Sequence, residues 1–453
     1  MRVVRGLFDE YVRVSQRRSV MTVEDPVAAP VTPVERVVGG RGGRFEFLDA
    51  LRGLAALAVV VQHSSERLWP AYFRFSQAHF GLGEFGVFVF FLVSGFIIPA
   101  SLERGRSLGA FWVGRFFRLF PLFWACLVGA VILHSIHRYM LPGGFLADPV
   151  RSFMANLTMM QFFIGSWDIQ IIGASWSLSY ELTFYLLLSL LLIAGLNRRS
   201  VPLAVLAVGL IAPGALLPAA LITGGAANVG TRSIVAVVTV VVAAVFVYLA
   251  ADRRLALAAI LIAFITVPLV LNQPGPSVLT FGYFATMFVG TVLYRITSGE
   301  VAAWRGWAVF GFAICVIFGI CTFVEPVLDA TSGVWVTWVK QPSTIIPAYL
   351  VFAGALLLRR RSFPRPLLFL GRISYSLYVV HALVLDGLPR WTTSVAGIPA
   401  LWLTFFSWVI GAVVTAAVTY RLIEKPCHNL GHRMIARVDA RKRAAEHPRS
   451  VTA

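Results

Sequence analysis

Long apolar stretches recur along nearly the whole chain, and that recurrence constrains the fold more than any other feature. Candidate spans lie near 47–66, 84–101, 119–135, 176–196, 201–221, 233–251, 255–272, 277–294, 307–324, 343–358, 373–389 and 399–420. Each has about the length a helix needs to cross a bilayer core. Inside lipid every backbone N–H and C=O must be satisfied within the protein, which favours helices. The expected fold is all-α: a polytopic transmembrane helical bundle of about 10–12 spans. Spans five to eight carry the weakest individual signals, which is why the lower number stays open.

Composition agrees. The 453 residues are 58% hydrophobic and 13% charged, against roughly 25% charged in soluble domains. A net charge of +18 raises the question of nucleic acid, but the placement of the charge answers it. Most Lys and Arg fall in the tails and on one set of loops, at 104–118, 198–199, 253–254, 295–305 and 359–372. The loops at 272–277, 325–340 and 390–398 fall on the other side. That asymmetry is the positive-inside pattern. It predicts both termini in the cytoplasm, membrane lipids rather than nucleic acid as partners, and a multi-pass protein of the cell (inner or plasma) membrane. Cys126, Cys315, Cys321 and Cys427 lie in apolar spans or on the cytoplasmic side. Neither place favours a disulfide, and their spacing suggests no metal site.

Three segments lie outside the regular pattern. Residues 1–44 read as a cytoplasmic, largely disordered tail with no apolar signal core. The spacing of Val3, Val4, Leu7, Phe8, Tyr11 and Val12 leaves open a short amphipathic helix on the inner membrane surface. Residues 136–175 read as a long external loop dipping back into the protein, because the apolar run at 154–164 is too short to cross. Residues 427–453 read as a basic cytoplasmic tail.

Polar residues inside spans are expensive and mark function by default. Arg52 and His63 are eleven residues apart on the first span. That spacing is within about 20° of three full turns and rises about 16 Å, so both side chains point the same way from opposite ends. Asp49 stands three residues before Arg52, and Glu66 three after His63, each within pairing reach on a helix. A histidine beside a carboxylate suits general-base chemistry near neutral pH. A structural histidine near the headgroups is the alternative.

Further constellations follow along the chain. Gly86, Ser94 and Gly95 on the second span read as a packing face. Arg115 and Arg118, with Pro121 just beyond, put two guanidiniums at the mouth of the third span; they suit a phosphate-rich ligand or positive-inside anchoring. Trp176, Glu181 and Tyr185 enter the fourth span with a carboxylate among aromatics. Arg372 precedes Tyr375, Tyr378 and His381, a polar stripe on an apolar segment, and Glu424-Lys425-Pro426 closes the last span.

Taken in this order, the motifs resemble the acyltransferase type 3 family of integral-membrane O-acyltransferases. They are Arg52-x10-His63, Gly86 to Ser94-Gly95-Phe96, Arg115-x-x-Arg118-Leu-x-Pro121, Trp176 through Glu181 to Tyr185, Gly371-Arg372 through Tyr378 to His381, and Glu424-Lys425-Pro426. The resemblance runs from about Phe45 to Pro426 and gives 45–426 as one membrane domain. It implies transfer of an acyl group, usually acetyl, from cytosolic acyl-CoA (acetyl-CoA) to a hydroxyl, with no metal. Acceptors in the family include surface polysaccharides, lipopolysaccharide O-antigen, glycolipids, Nod factors and macrolide sugars. By motif, His63 corresponds to the catalytic base and Arg52, Arg115 and Arg118 to the donor side. Arg372 is a further donor contact, and Glu66 and Glu181 are further catalytic candidates. Asp49, Ser94, Trp176, Tyr185, Tyr375, Tyr378 and His381 would be structural or line the substrate pocket. The chain departs from the family in a long stretch between Glu181 and Gly371 and in having no fused SGNH hydrolase-like domain. Direct transfer and a transient acyl-histidine both remain open. A transporter or flippase of a glycan or lipid is the rival class, since polar intramembrane residues serve transport equally well.

Overall fold

The computed structural model describes residues 45–103, 107–164, 169–214, 277–324 and 340–446. Among them there is no strand, only an isolated bridge between Val395 and Ile398. The expected spans at 233–251 and 255–272, and the N-terminal tail with its amphipathic spacing, lie outside the described residues. Within them, seven helices are long and apolar enough to cross a membrane, and one bent pair makes an eighth candidate. The chain is a multi-pass membrane protein.

In chain order the helices are α1 (Glu46–Leu68), α2 (Pro70–Ala78), α3 (Leu82–Glu103), α4 (Leu108–Ser135), α5 (Pro149–Leu157), α6 (Trp176–Ile193), α7 (Ser200–Gly209), α8 (Ser277–Thr297), α9 (Ala303–Gly319), α10 (Lys340–Leu357), α11 (Arg365–Arg372), α12 (Ser374–Gly387), α13 (Ala400–Thr419) and α14 (Lys425–Glu446). The centre is α3, with 83% of its apolar stretch buried, beside α8 at 78%. Small residues permit this. A Cβ on Gly95 would overlap the Met287 carbonyl of α8, and one on Gly86 would lie 2.6 Å from the Ala55 carbonyl of α1. The packing reading of those glycines therefore holds at both helix crossings. The outer wall looks different. Along α13 and the turn that follows it, Phe406, Ile410, Val414, Val418 and Leu422 recur every fourth residue and are all exposed. An apolar stripe of that kind faces lipid.

Two expected spans differ in form. The eleventh, expected at 373–389, is α12, and a separate helix, α11, precedes it and meets it at 74°. α11 starts behind Pro364, which fixes its entry, and ends at Ile373. α12 therefore has only 14 residues, about 21 Å of helix, and begins well inside the bundle. The twelfth continues beyond Pro426 through a π-turn at Tyr420–Glu424 into α14. The basic tail is mostly helix rather than loop, because its Arg- and Ala-rich sequence has high helix propensity.

The described parts of 136–175 do fold back. Asn156 Nδ2 donates to the Ser152 and Ile169 carbonyls at 2.8 Å each, and its Oδ1 accepts from the Ile171 amide at 3.2 Å. Tyr139 donates its hydroxyl to the Ile171 carbonyl. Ser179 Oγ, on α6, donates to the Met159 carbonyl at 2.6 Å. Backbone groups of an irregular segment are thus satisfied from inside the protein.

One ion cluster ties the arginine-rich end together. Arg295, only 1% exposed, donates to Glu103 of α3 at 2.5 and 2.6 Å, to Glu300 at 2.9 Å and to the Asn197 carbonyl at 3.1 Å. Its Nε reaches Ser200 Oγ at 3.1 Å. One side chain so joins the ends of α3, α7 and α8. From the sequence it reads only as loop charge.

Candidate active site

Two cavities lie along the axis of α1. The one toward the arginine-rich end is a narrow cleft of about 60 Å³, lined among others by Arg52, Arg115, Arg118, Ser94, Glu181 and Tyr375. The one toward the far end holds about 310 Å³ and is lined by residues including His63, Glu66, Glu84, Trp176, Tyr180 and Tyr283. Val87 and Tyr378 line both. The helical spacing of Arg52 and His63 thus puts one residue on each cavity of a single unbroken helix.

The inner cleft is cationic with an acidic lining. Arg52 lies within electrostatic range of Arg118 and of the carboxylates Asp49, Glu424 and Glu181. Arg115 and Arg118 sit one turn apart on α4. This helix starts at Leu108, well before the expected 119, because Ser107 caps it by accepting from the Ala110 amide at 3.2 Å. The Arg115 guanidinium rests 5.3 Å from both the Phe111 and the Tyr185 ring centres, close enough for cation–π attraction. Glu181 Oε1 accepts from Ser94 Oγ at 2.8 Å and from the Tyr185 hydroxyl one turn along its own helix. Ser94 is therefore a donor to a half-buried carboxylate as well as a small packing residue. Asp49 is buried one turn before Arg52. Tyr375 donates to the Leu119 carbonyl at 2.5 Å. Glu424 is buried and accepts from Ser376 at 2.6 Å.

Arg372 is not part of this cleft. It is exposed at the end of α11, with Nε 3.4 Å from the Leu368 carbonyl. The 74° bend turns α11 out of the line of α12.

The outer cavity brings together residues from α1, α3, α6, α8 and α12. His63 Nδ1 is 3.0 Å from His381 Nε2, and the rings stack at 5.1 Å with 11° between their planes. His381 Nδ1 is 2.7 Å from the Tyr378 carbonyl. The expected pairing of His63 with Glu66 is not what forms. Glu66 Oε1 accepts instead from Gln62 on its own helix, from Ser76 Oγ at 2.6 Å and from Gln77 at 3.4 Å. Glu66 stays on the cavity wall. Glu181 lines the other cavity, so the two catalytic carboxylate candidates are split between them.

Trp176 packs against Tyr283, with ring centres 5.3 Å apart, and Tyr180 stands 5.0 Å from Tyr283. The Tyr378 hydroxyl donates to the Ala174 carbonyl at 2.8 Å and pairs with Ser177 Oγ at 2.7 Å. Ala174, at the end of that segment, and Ser177 thus hold Tyr378 in the wall between the cavities. Lys340 and Glu84 pair at 2.5 Å, and Arg67 with Asp386 at 2.5 Å. Gln62, Glu84, Tyr283 and Lys340 escaped the sequence reading. Gln62 and Glu84 could have been found, since both are polar residues within the apolar spans that carry the motifs.

Comparison with known proteins places these features in context. A family model described as an acyltransferase domain matches residues 45–423, which takes in every site residue named above except Glu424. Acyltransferase MdmB of Streptomyces mycarofaciens is 36% identical over 150 residues, covering 32% of this chain and 38% of that protein. Nodulation protein 10 of Rhizobium leguminosarum bv. viciae is 25% identical over 374 residues, 78% of this chain and 84% of that protein. The putative peptidoglycan O-acetyltransferase YrhL of Bacillus subtilis (strain 168) is 23% identical over 424 residues, 86% of this chain and 56% of that protein. The chain thus covers well under two thirds of the first and third of these relatives. No solved structure matches it.

Proposed function

The chain belongs to the acyltransferase type 3 family, and on that premise we propose that it is an O-acyltransferase moving an acyl group from acyl-CoA, acetyl-CoA by preference, to a carbohydrate hydroxyl. The observation that carries this reading is the shared wall: an arginine-lined cleft and an imidazole-bearing cavity meet at Val87 and Tyr378. A donor and an acceptor entering from opposite ends would meet there.

The arginine-rich end is taken as cytoplasmic, in the cell membrane, by the positive-inside pattern. Arg115 and Arg118 present two guanidiniums one turn apart, a set suited to phosphates. The cleft is far too small for a nucleotide, so the head group stays at the mouth. Only a slender acyl-bearing arm enters, past Arg52, and the walls part to admit it. Ser94, Tyr185 and Glu181 hold the Arg115 side of the cleft in place. Arg372, outside the cleft, has no part in this step.

The acceptor occupies the outer cavity, whose size falls at the low end for small-molecule sites. Trp176, Tyr180 and Tyr283 offer apolar faces, while Gln62, Gln77, Glu66 and Glu84 offer acceptors and donors for hydroxyls. That mixture supports a sugar-bearing acceptor. His63 takes the hydroxyl proton as the oxygen bonds to the thioester carbonyl carbon. The carbon–sulfur bond breaks, and the thiolate leaves with the proton that His63 returns. The products are one ester and one free thiol.

The test is to supply radiolabelled acetyl-CoA to membranes containing the protein. Alkali-labile label in a saccharide-bearing product, with one thiol released per ester, is expected. Folded protein that neither binds nor consumes acetyl-CoA would overturn the reading in favour of transport.

A further inference from the structure

The contact between His63 and His381 carries more than a shape. A carbonyl oxygen only accepts, so the 2.7 Å contact to the Tyr378 carbonyl requires the proton on His381 Nδ1. In a neutral imidazole the other nitrogen is then an acceptor. That nitrogen, Nε2, is 3.0 Å from His63 Nδ1, so His63 Nδ1 carries a proton and donates. His63 Nε2 is left with its lone pair. It has no hydrogen-bond partner among the described residues, and His63 lines the outer cavity. A doubly protonated His381 would reverse none of this cheaply. The ring is 1% exposed, the backbone groups beside it, at Tyr378 and Leu377, are neutral, and a buried cation without a carboxylate is costly.

We propose that His381 is a positioning residue for acyl transfer: anchored on the Tyr378 carbonyl, it fixes His63 in the tautomer and ring orientation that present Nε2 to the acceptor hydroxyl. The role is the one a buried carboxylate plays in hydrolase triads, performed here by a neutral relay. Neutrality suits its place, since a carboxylate at this depth would be expensive to bury. When His63 takes the acceptor proton at Nε2, its Nδ1–H keeps an acceptor already aligned, so the imidazolium forms without reorganisation. The relay spans 318 residues of sequence between its two rings and ties α1 to α12. Because Tyr378 also lines both cavities, the helix that orients the base also forms the wall at which donor and acceptor meet.

This inference rests on His63 being the base, and the experiment separates the two. The full-length protein in nanodiscs is compared with His63→Ala, His381→Leu and His381→Gln. The Leu variant removes the acceptor for His63 Nδ1 and should lower kcat about a hundredfold with donor KM changed less than about twofold. The amide oxygen of Gln can stand where Nε2 stands, so it should restore kcat at least tenfold over Leu. An active Leu variant beside an inactive His63→Ala overturns the positioning role alone. Full activity of His63→Ala overturns the base reading itself. Equal losses in folded Leu and Gln variants make the ring mere packing and also overturn the proposal. Should the Leu variant fail to fold, ¹⁵N-histidine spectra of the unmodified protein decide: His63 should be protonated on Nδ1 and bare on Nε2, and the reverse tautomer contradicts the relay.

Discussion

His63 Nδ1 and His381 Nε2 lie 3.0 Å apart with their rings stacked, and this contact joins α1 to α12. Around it, the bundle arranges two cavities of opposite character on one helix. Arginines line the inner one; carboxylates, amides and aromatic faces line the outer one.

Arg115 and Arg118 should act on donor binding rather than on chemistry. Replacing either by Ala should raise donor KM about tenfold, the scale of one lost charged hydrogen bond, and leave kcat within about threefold. Arg115→Lys should lose most of the same affinity, because a lysine does not stack on Phe111 and Tyr185 as a guanidinium does. Steady-state kinetics with varied acetyl-CoA check this; a fall in kcat at unchanged KM would contradict it.

Arg295 should matter for stability and not for turnover. Removing it leaves Glu103, which is largely buried, and the part-exposed Glu300 without their shared cation. Arg295→Met should cost roughly 3 kcal/mol, seen as a lower Tm in detergent, with the kcat of the folded fraction unchanged. A Tm shifted by less than about 1 °C would show that the cluster carries no net stability.

Tyr139 predicts a pH dependence. Burial first, then the nearby Asp386 carboxylate, pushes its hydroxyl up to about 12, against about 10 for a free tyrosine. A raised value in the folded state means stability that is fully present below pH 10 and is lost as pH climbs through 12. The stability difference between the native protein and Tyr139→Phe should therefore be constant up to about pH 10 and shrink above it. At neutral pH the Phe variant should be about 1 kcal/mol less stable, since the Ile171 carbonyl loses its donor. Melting curves from pH 7 to 12 check both; a difference independent of pH would contradict the shift.

Much of this was legible in the sequence because it is periodic. The alignment of Arg52 with His63 follows from helical geometry alone, and one unbroken α1 carries both. Arg115 and Arg118 share the cleft for the same reason, as do Glu181 and Tyr185. What stayed hidden is what depends on tertiary placement. His63 has Glu66 three residues away, but its partner is His381, which no local rule could pair with it. Glu66 was drawn instead to Ser76 and Gln77 on α2, a helix too short and amphipathic to register as a span. Arg372 looked like a donor contact because it stands in the Gly371-Arg372 motif beside basic loop residues; the structure leaves it exposed at the end of α11, off the lining of the inner cleft. Arg295 looked like one more basic loop residue, because burial of a charge at a helix end depends on neighbours far away in sequence.

The most direct test of the account is acyl transfer by His63→Ala. Membranes carrying the variant at native abundance, given radiolabelled acetyl-CoA, should label the acceptor at least about a hundredfold more slowly than the native protein, the usual scale for losing a general base. The variant should still bind the donor through Arg115 and Arg118. Undiminished labelling of the acceptor would contradict the account, because neither direct transfer nor an acyl-histidine can proceed without that ring.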